Sequence, residues 1–341
     1  MGAERRCRLA VCIARLQPPQ QRHVDALRAL AADHDAVWLV CGGVTQAASV
    51  VNPWTFDERR ALLALALPPS LDLACLAVAD CWYDDRRWAD AVREAVLAQA
   101  ARAGIDPAQA DIALVPLERG SASFYAACFP EWRVCEPGAD LPAFDRTLNE
   151  RLLGGDAAAA LDASVPVPVR AALAATLSDA VRCELREEMA FITHYRDAWQ
   201  TAPFPPIFVT VDALVTHGDR VLVIRRGRRP GHGLLALPGG FIDPDEPLCD
   251  SALRELREET GLVLPASACT AVRVYDHPHR SLRGRTITHL HRYVLAGTQP
   301  APALEAGDDA AQALWLPFAD ARPQAFFEDH YAMLQLELGL A

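Results

Sequence analysis

Lysine is missing from this chain of 341 residues, and all 33 of its basic side chains are arginines. A Walker-type phosphate-binding loop needs the dipeptide G-K-[S/T], and a Schiff-base enzyme needs a reactive lysine. The sequence therefore excludes both kinds of site. The heavy use of alanine and arginine is what a GC-rich genome produces, so we give the absence itself no functional meaning.

Long apolar runs and closely spaced cysteine pairs are also missing. No stretch reaches the roughly 18 uninterrupted apolar residues that a membrane-spanning helix needs. The charged start from Met1 to Cys12 does not resemble a signal peptide. The ten cysteines never form C-x-x-C and lie mostly among apolar residues. We therefore expect reduced cysteines in a cytoplasmic protein with no zinc site and no membrane contact.

The formal net charge is −11, with 51% hydrophobic and 23% charged residues. This composition and this length predict two folded domains with separate cores. An acidic surface does not suit a nucleic-acid binder, because neutralising phosphates requires basic side chains. A small anionic substrate would need a local remedy, either a bound cation or a cluster of arginines.

In the first domain, residues 1–200, short apolar runs alternate with helical segments. Strands are predicted at residues 9–14, 36–41, 73–78 and 112–116, and helices at 23–32, from about 55, and at 88–102. This order predicts an α/β domain with a doubly wound parallel sheet, which binds ligands at the carboxyl ends of its strands. From Ala157 to Trp199 the chain is helical and rich in alanine. Pro203, Pro205 and Pro206 then mark the domain boundary.

The second domain, residues 203–341, has a different pattern. An extended run at 207–215 and a turn at Gly218-Asp219 leading into 220–226 predict a β-hairpin. Further strands are predicted at 271–275, 286–295 and 314–316, with a closing helix from about Phe326. A mixed sheet with one central helix and a second flanking helix corresponds to an α/β/α sandwich.

One segment of the second domain carries the pattern G-x5-E-x7-R-E-U-x-E-E-x-G-U, where U is an apolar residue. Its nine specified positions, within 23 residues, are Gly240, Glu246, Arg254, Glu255, Leu256, Glu258, Glu259, Gly261 and Leu262. At about 100° per residue, the last three glutamates share a helix sector of roughly 100°. The alternative is an ordinary solvated acidic helix face, which gives no role to the bracketing glycines or to the distant first glutamate.

Three carboxylates on one helix face repel each other unless a cation compensates them. Oxygen ligands without histidine or cysteine favour Mg²⁺ or Mn²⁺ over zinc. Arg254 is spaced to pair with Glu246 or with a neighbouring carboxylate. The backbone of Gly240 can approach a metal or a phosphate closely, because glycine has no side chain. The pattern therefore predicts that Gly240 and the three helix glutamates hold one of these cations.

This motif resembles the signature of the Nudix family of pyrophosphatases. The resemblance implies that metal ions neutralise the pyrophosphate of a nucleoside diphosphate derivative and activate a water, which attacks one phosphorus. It makes Glu255, Glu258 and Glu259 the catalytic residues, with the first and last as the leading metal ligands. The group that deprotonates the water is left open among Glu255, Glu305, Asp308 and Asp309.

An arginine-rich loop follows the signature and contains Arg280, Arg283 and Arg285. Such a cluster suits phosphate binding, although by itself it is more often a solvated surface loop. Its surroundings resemble the Nudix half of bacterial bifunctional nicotinamide mononucleotide adenylyltransferase/ADP-ribose pyrophosphatases at residues 206–212, 280–289, 307–315 and 327–330. The resemblance implies ADP-ribose as substrate, AMP and ribose 5-phosphate as products, and the three arginines as substrate-binding residues.

The same resemblance reaches the first domain and implies a fold like that of the nucleotidylyltransferases. Residues 15–18 are similar to the G-R-F-Q-P start of that family, and the implied nucleotide site comprises Arg15, Gln17, Gln20 and His23. The family's H-x-G-H motif is here Q-Q-R-H, so only its last histidine is kept. Residues 116–120 and 146–151 depart from two further phosphate motifs. Because groups that stabilise charge in the transition state are missing, we expect a degenerate site.

Three functions are compatible with these observations. The first is a Mg²⁺-dependent ADP-ribose pyrophosphatase of NAD metabolism, for which a homodimer is compatible with the sequence. The second is a bifunctional enzyme that also makes NAD from nicotinamide mononucleotide and ATP. The third is a non-catalytic sensor or regulator that binds ADP-ribose. The complete set of glutamates and the lack of a basic DNA-reading segment argue against the third.

Overall fold

The computed structural model describes residues 7–71, 73–118, 122–137, 141, 144–145, 147–153, 164–298 and 300–340. The chain forms two compact units, Met1–Arg186 and Glu187–Ala341. Their division falls inside a helix, whereas the sequence predicts the domain boundary at Pro203 to Pro206. Of the segments discussed above, residues 119–120, 146 and 157–163 lie outside the described residues.

The first unit is built on a five-stranded sheet of order β3-β2-β1-β4-β5, in which every pair is parallel. The strands are β1 (Arg8–Ala14), β2 (Ala36–Cys41), β3 (Leu73–Ala77), β4 (Asp111–Pro116) and β5 (Arg133–Val134). The helices are α1 (Gln21–Asp33), α2 (Phe56–Ala66), α3 (Asp85–Ala103), α4 (Ala122–Cys128), α5 (Leu148–Leu153) and α6 (Val167–Thr176), followed by α7 (Asp179–Ala198), within which the division falls.

Both faces of this sheet are buried, because successive side chains of a strand point in opposite directions. Leu9 and Val11 of β1 pack into one apolar cluster, together with residues of α3 and α4. Ala10 and Cys12 of the same strand pack into the other, against α1, α2 and α6. The continuous apolar strands of the sequence therefore correspond to a sheet with helices on both sides.

The strand order reverses next to β1. The chain proceeds from β1 to β2 and β3 on one side, and then returns so that β4 pairs with the other side of β1. In doubly wound sheets such a reversal opens a crevice at the carboxyl ends of the two strands, where ligands bind. Residues 15–23, which follow β1, and Leu117 and Glu118, which follow β4, lie at this point.

The second unit contains a seven-stranded mixed sheet with the central order β10-β11-β6-β7-β12. Its strands are β6 (Ile207–His217), β7 (Arg220–Arg226), β8 (Leu235–Ala236), β9 (Gly239–Phe241), β10 (Cys269–Tyr275), β11 (Arg285–Leu295) and β12 (Ala310–Pro317). β6 and β11 are parallel, and the other pairs are antiparallel. The predicted hairpin is formed by β6 and β7. The short strands β8 and β9, which the sequence did not reveal, pair with β7 and β6 respectively.

Two helices accompany this sheet, α8 (Leu248–Thr260) and α9 (His330–Leu338). α8 presents Leu256 to an apolar cluster formed by the sheet, including Ala213 and Tyr293. The closing helix starts at His330 and not near Phe326 as predicted, because Phe326 bridges Leu235 in extended conformation. Within the described part of the chain, none of the helices has the length and apolar character needed to cross a bilayer.

Candidate active site

The signature glutamates are positioned by α8 and by the way this helix ends. Gly261 ends the helix in the left-handed conformation at φ 69°, and its N–H donates to Arg257 O at 2.9 Å. A side chain at this φ would be strained, which explains the fixed glycine. Leu256 is fully buried against the sheet, so Glu255 and Glu259, which flank it at i−1 and i+3, are carried to the edge of the core.

Arg254 holds three carboxylates in place. Its guanidinium donates to Glu246 Oε2 at 2.9 Å, to Glu255 Oε1 at 2.8 Å and to Glu258 Oε2 at 3.0 Å. The hydrogen bond from Arg254 lowers the pKa of the Glu246 carboxyl. The predicted pair of Arg254 with Glu246 is present, and one arginine orients acidic groups from the loop and from the helix.

Glu259 and Glu255 are the two buried members of the acidic set. Burial raises the pKa of the Glu259 carboxyl to about 8, although Gly239 N–H donates to its Oε2 at 2.9 Å. Burial also raises the pKa of Glu255, against the effect of Arg254. A carboxyl group whose charged form is disfavoured by burial gains stability when a cation comes close.

The donor set fits a hard divalent cation. Gly240 lies against the Glu255 carboxylate so closely that a Cβ on this residue would meet its oxygens at 2.7 and 2.8 Å. The Gly240 backbone therefore lies beside the Glu255 carboxylate, and the predicted donors are all oxygen atoms. Among the described residues, no group of three or more Asp, Glu, His or Cys side chains is arranged so that it could bind a metal ion without rearrangement. The carboxylates of Glu255 and Glu258 accept hydrogen bonds from Arg254, and the Glu259 carboxylate accepts one from the backbone N–H of Gly239.

Two arginines next to this acidic set have few partners of their own. Arg226 at the end of β7 lies 4.4 Å from the ring centroid of Phe327, and its Nε donates to Pro230 O at 2.8 Å. Burial, followed by the proximity of Arg283, lowers the pKa of Arg226. Arg283 lies 5.1 Å from the ring centroid of Phe241, and its buried Nε has no hydrogen-bond partner among the described residues. This pair is suited to an anion.

Arg226 was not among the residues predicted from the sequence. The segment 220–226 was interpreted only as the second strand of a β-hairpin. A signal was present, because Arg226 ends an otherwise apolar strand. A charged residue at that position needs either solvent or a ligand.

The three arginines of the predicted clamp, Arg280, Arg283 and Arg285, have different surroundings. Arg280 forms a buried bidentate ion pair with Asp329, at 2.9 and 3.0 Å. Arg285 donates to the carbonyl of Asp276. Arg283 lies near Arg226, whose charge acts on Glu259, and Arg280 lies near Asp212, which also acts on Glu259. Spacing in sequence did not reveal these surroundings, since the partners of Arg280 and Arg285 come from the fold.

Three of the four candidates for the general base, Glu305, Asp308 and Asp309, lie in the loop before β12, and the fourth, Glu255, lies on α8. Glu305 N–H donates to Thr260 O at 2.9 Å, which brings this loop to the end of α8. Asp308 raises the pKa of Glu255 by its negative charge, after the larger effect of burial. Asp309 is paired with Arg228 at 2.6 Å.

In the first unit, the residues of the predicted nucleotide site are engaged with the chain itself. Arg15 Nη2 lies 2.9 Å from Asp80 Oδ2. The Gln17 side chain holds the backbone of Trp54 from both sides, and the Gln20 side chain does the same with the backbone of Asp145. His23 is fully buried and is considered separately below.

Comparisons with known proteins agree with this geometry. Residues 206–336 match the family described as NUDIX domain. An ADP-ribose pyrophosphatase of Methanocaldococcus jannaschii is 32% identical over 127 residues, which are 37% of this chain and 70% of that protein. The ADPR responsive transcriptional repressor NtrR of Acinetobacter baylyi is 32% identical over 117 residues, 33% of this chain and 44% of that protein.

Similarity to solved structures extends along nearly the whole chain, as one example shows. It is a bifunctional NMN adenylyltransferase/ADP ribose pyrophosphatase from Francisella tularensis complexed with AMP and Mn ion. The TM-score is 0.87 at 28% identity, covering 98% of this chain and 99% of that one. The predicted fold class, a parallel-sheet nucleotidylyltransferase-like domain followed by an α/β/α sandwich, is thereby confirmed.

Proposed function

This chain belongs to the Nudix family, and on that basis we propose that it is a divalent-metal-dependent pyrophosphatase which hydrolyses ADP-ribose to AMP and ribose 5-phosphate. The observation that carries the proposal is the complete signature assembled in space, with Glu255, Glu258 and Arg254 in direct contact and Glu259 held by Gly239. The similarity to the Methanocaldococcus jannaschii ADP-ribose pyrophosphatase supports the choice of ADP-ribose as the substrate.

Glu255, Glu258, Glu259 and the backbone of Gly240 are the groups that would hold the cation, and we propose Mg²⁺ or Mn²⁺. When bound, such an ion neutralises charge on the pyrophosphate and activates water for attack on phosphorus. The site also needs dry surroundings, because electrostatic attraction is stronger away from solvent. The burial of Glu259, which is only 4% exposed, provides them.

The remaining side chains have separate tasks in this proposal. Arg254 keeps the acidic groups in register, because it contacts the loop glutamate and two helix glutamates at once. Arg226 and Arg283 bind the phosphates, since both guanidiniums are partly desolvated and neither forms a salt bridge among the described residues. The ion pair of Arg280 with Asp329 holds the arginine-rich loop against the start of α9.

The test is a turnover assay on the full chain with ADP-ribose and either Mg²⁺ or Mn²⁺, with products resolved by chromatography. We expect AMP and ribose 5-phosphate, and no products in the presence of a chelator. Glu255→Gln and Glu259→Gln should each lower turnover by about 10²-fold or more, because each removes a charged ligand. The matched control is Asp250→Asn, which neutralises an exposed acid of the same helix and should keep full activity.

Two outcomes would contradict the proposal in different ways. Cation-dependent cleavage of other nucleoside diphosphate derivatives, with ADP-ribose left intact, would keep the reaction and reject the substrate. Full activity of both glutamate variants would reject the assignment of the metal ligands.

A second candidate function, adenylyl transfer, comes from the similarity to the Francisella tularensis protein, a bifunctional NMN adenylyltransferase/ADP ribose pyrophosphatase. Incubation with nicotinamide mononucleotide, ATP and Mg²⁺ would reveal it through the formation of NAD. A third, non-catalytic binding of ADP-ribose, has support from the similarity to the Acinetobacter baylyi repressor. Because the signature keeps all of its glutamates, hydrolysis is favoured over this third, non-catalytic function.

The cellular setting of this activity is also part of the proposal. All ten cysteines are free of disulfides, as expected of a protein in a reducing compartment. We therefore place the enzyme in the cytoplasm, with a small nucleotide as its partner. Whether two copies associate is a question for sedimentation analysis.

A further inference from the structure

A buried glutamate lies at the point of the first unit where the strand order reverses. Glu118 follows β4, and its side chain is only 7% exposed. Its carboxylate reaches across to the chain that leaves β1, where Arg15 and Leu16 begin the loop. In sheets of this kind, this is the crevice in which phosphate-bearing ligands are bound.

The loop after β1 surrounds this carboxylate with donors. Arg15 N–H donates to Glu118 Oε2 at 2.9 Å, and Leu16 N–H donates to Oε1 at 2.7 Å. Leu16 has a φ of 58°, in the left-handed region that leucine rarely adopts. Successive N–H groups that converge through such a conformation form a concave anion site, of the kind that binds phosphates.

His23 completes this arrangement from helix α1. Its Nδ1 accepts the N–H of Gln20 at 2.8 Å, so the hydrogen of the neutral ring is on Nε2. That Nε2 lies 3.2 Å from Glu118 Oε1. The ring is fully buried, and among the described residues Nε2 forms no regular hydrogen bond, so the Glu118 carboxylate is the charged group that it approaches. The one histidine kept from the family's motif therefore faces this carboxylate.

The carboxylate carries a negative charge in this position. Burial by itself raises the pKa of Glu118, but His23 and the N–H groups of Leu16 and Arg15 outweigh burial and bring the pKa below its ordinary value. The two backbone N–H groups and the imidazole of His23 therefore form an anion site, and the two carboxylate oxygens of Glu118 fill it. The sequence indicated only that residues 116–120 depart from a phosphate motif, and it gave Glu118 itself no role.

We propose that Glu118 is a built-in anion which occupies the phosphate place of the first unit. Its two carboxylate oxygens take the donors that two oxygens of a nucleotide phosphate would otherwise use. The first unit therefore does not bind nucleoside triphosphates in this crevice and does not transfer adenylyl groups. Its donors remain functional, so removal of the Glu118 side chain creates a site for small oxyanions such as inorganic phosphate.

The experiment uses Glu118→Ala in the full chain, with unfolding followed by tryptophan fluorescence. The signal is dominated by the first unit, which contains five of the seven tryptophans, Trp38, Trp54, Trp82, Trp88 and Trp132. We expect the unfolding midpoint of this variant to be lower than that of wild type. Inorganic phosphate or acetate should restore about half or more of the lost midpoint, because each binds only the native state. Potassium chloride at equal ionic strength should not restore it.

A matched control separates this role from an ordinary structural one. Glu58 also accepts a backbone N–H, from Thr55 at 2.8 Å, but it lies in an exposed capping box at the start of α2. Glu58→Ala should lower the midpoint without rescue by phosphate, because it leaves no enclosed place for an anion. The wild-type chain measured with phosphate corrects for any anion bound by the second unit.

The proposal would be overturned by a Glu118→Ala chain that is destabilised and gains no more from phosphate than the Glu58→Ala control. A second measurement needs no variant, in case Glu118→Ala does not fold. Wild-type protein incubated with nicotinamide mononucleotide, ATP and Mg²⁺ should form no NAD, and inorganic pyrophosphate should not raise its fluorescence midpoint. Formation of NAD at a steady rate would show that the phosphate place is open.

Discussion

The backbone of Gly240 and the carboxylate of Glu255 are in direct contact, since a Cβ on this glycine would lie 2.7 Å from Glu255 Oε1. Gly240 belongs to β9, which pairs with β6, and Glu255 belongs to α8. The first glycine of the signature therefore leaves the space that the Glu255 carboxylate occupies, and it does not adopt a left-handed backbone conformation.

Gly240→Ala should therefore damage catalysis more than folding. The methyl group displaces the Glu255 carboxylate, and a displacement of about 1 Å at a reacting centre can cost about 10²-fold in rate. We expect a loss of this size in turnover of ADP-ribose, measured together with the unfolding midpoint. The control is Gly297→Ala, whose Cβ would lie 2.9 Å from Gly218 Cα, in a turn outside the signature. That variant should lose stability and keep its turnover per folded molecule; the opposite pattern would contradict the steric explanation.

Arg226→Met should raise the Michaelis constant for ADP-ribose with a smaller effect on kcat. A charged hydrogen bond to a phosphate contributes about 1.5–3 kcal/mol, which corresponds to an increase of about 10- to 100-fold. Arg225→Met is the control, because Arg225 is the exposed neighbour on the same strand and donates only to Gly233 O. Initial rates over a range of ADP-ribose concentrations would give both constants. Equal effects of the two substitutions would show that Arg226 does not contact the substrate.

The buried pair of Arg280 and Asp329 should behave as a structural element. Arg280→Met leaves a buried carboxylate without its partner and should cost about 3–5 kcal/mol in the free energy of unfolding. The double variant Arg280→Met, Asp329→Leu removes both charges and should recover most of that loss. Denaturant titration of the single and double variants would measure the difference. If the single variant kept its stability and lost only substrate affinity, Arg280 would belong to the clamp predicted from the sequence.

His330 should make the protein less stable as the pH falls below neutrality. Burial, followed by the charges of Arg280, Arg226 and Arg283, lowers its pKa well below 6.5, and its Nδ1 accepts the N–H of Leu237 at 3.1 Å. The folded chain therefore keeps this ring neutral while the unfolded chain takes up a proton below about pH 6.5. Because the unfolded state binds more protons, stability falls with pH by up to about 1.4 kcal/mol per pH unit.

The measurement is denaturant unfolding of wild type and His330→Asn between pH 7 and pH 5, where asparagine does not titrate. The stability advantage of wild type should shrink as the pH is lowered. His194→Asn, at an exposed position of α7, is the matched control and should show no such trend. A constant difference between wild type and His330→Asn over this range would mean that folding does not change the pKa of His330.

The charge pattern of the signature allowed the contacts among its own side chains to be predicted. The pairing of Arg254 with Glu246 followed from spacing along one loop and one helix, because residues a few positions apart on a helix share a face. Arg226 could not be predicted in the same way, since its role depends on Phe327 and Arg283, which come from distant segments.

The sequence by itself determined the two-part architecture and the acidic helix face. Both follow from local periodicity, in which each side chain's direction is set by its own strand or helix. Only the tertiary structure decided that Arg280 faces Asp329 and that Glu118 meets Arg15, a residue 103 positions earlier. Such contacts depend on strand order and on burial, because a charged group that is buried away from solvent needs a partner inside the protein. No short-range sequence pattern contains that information.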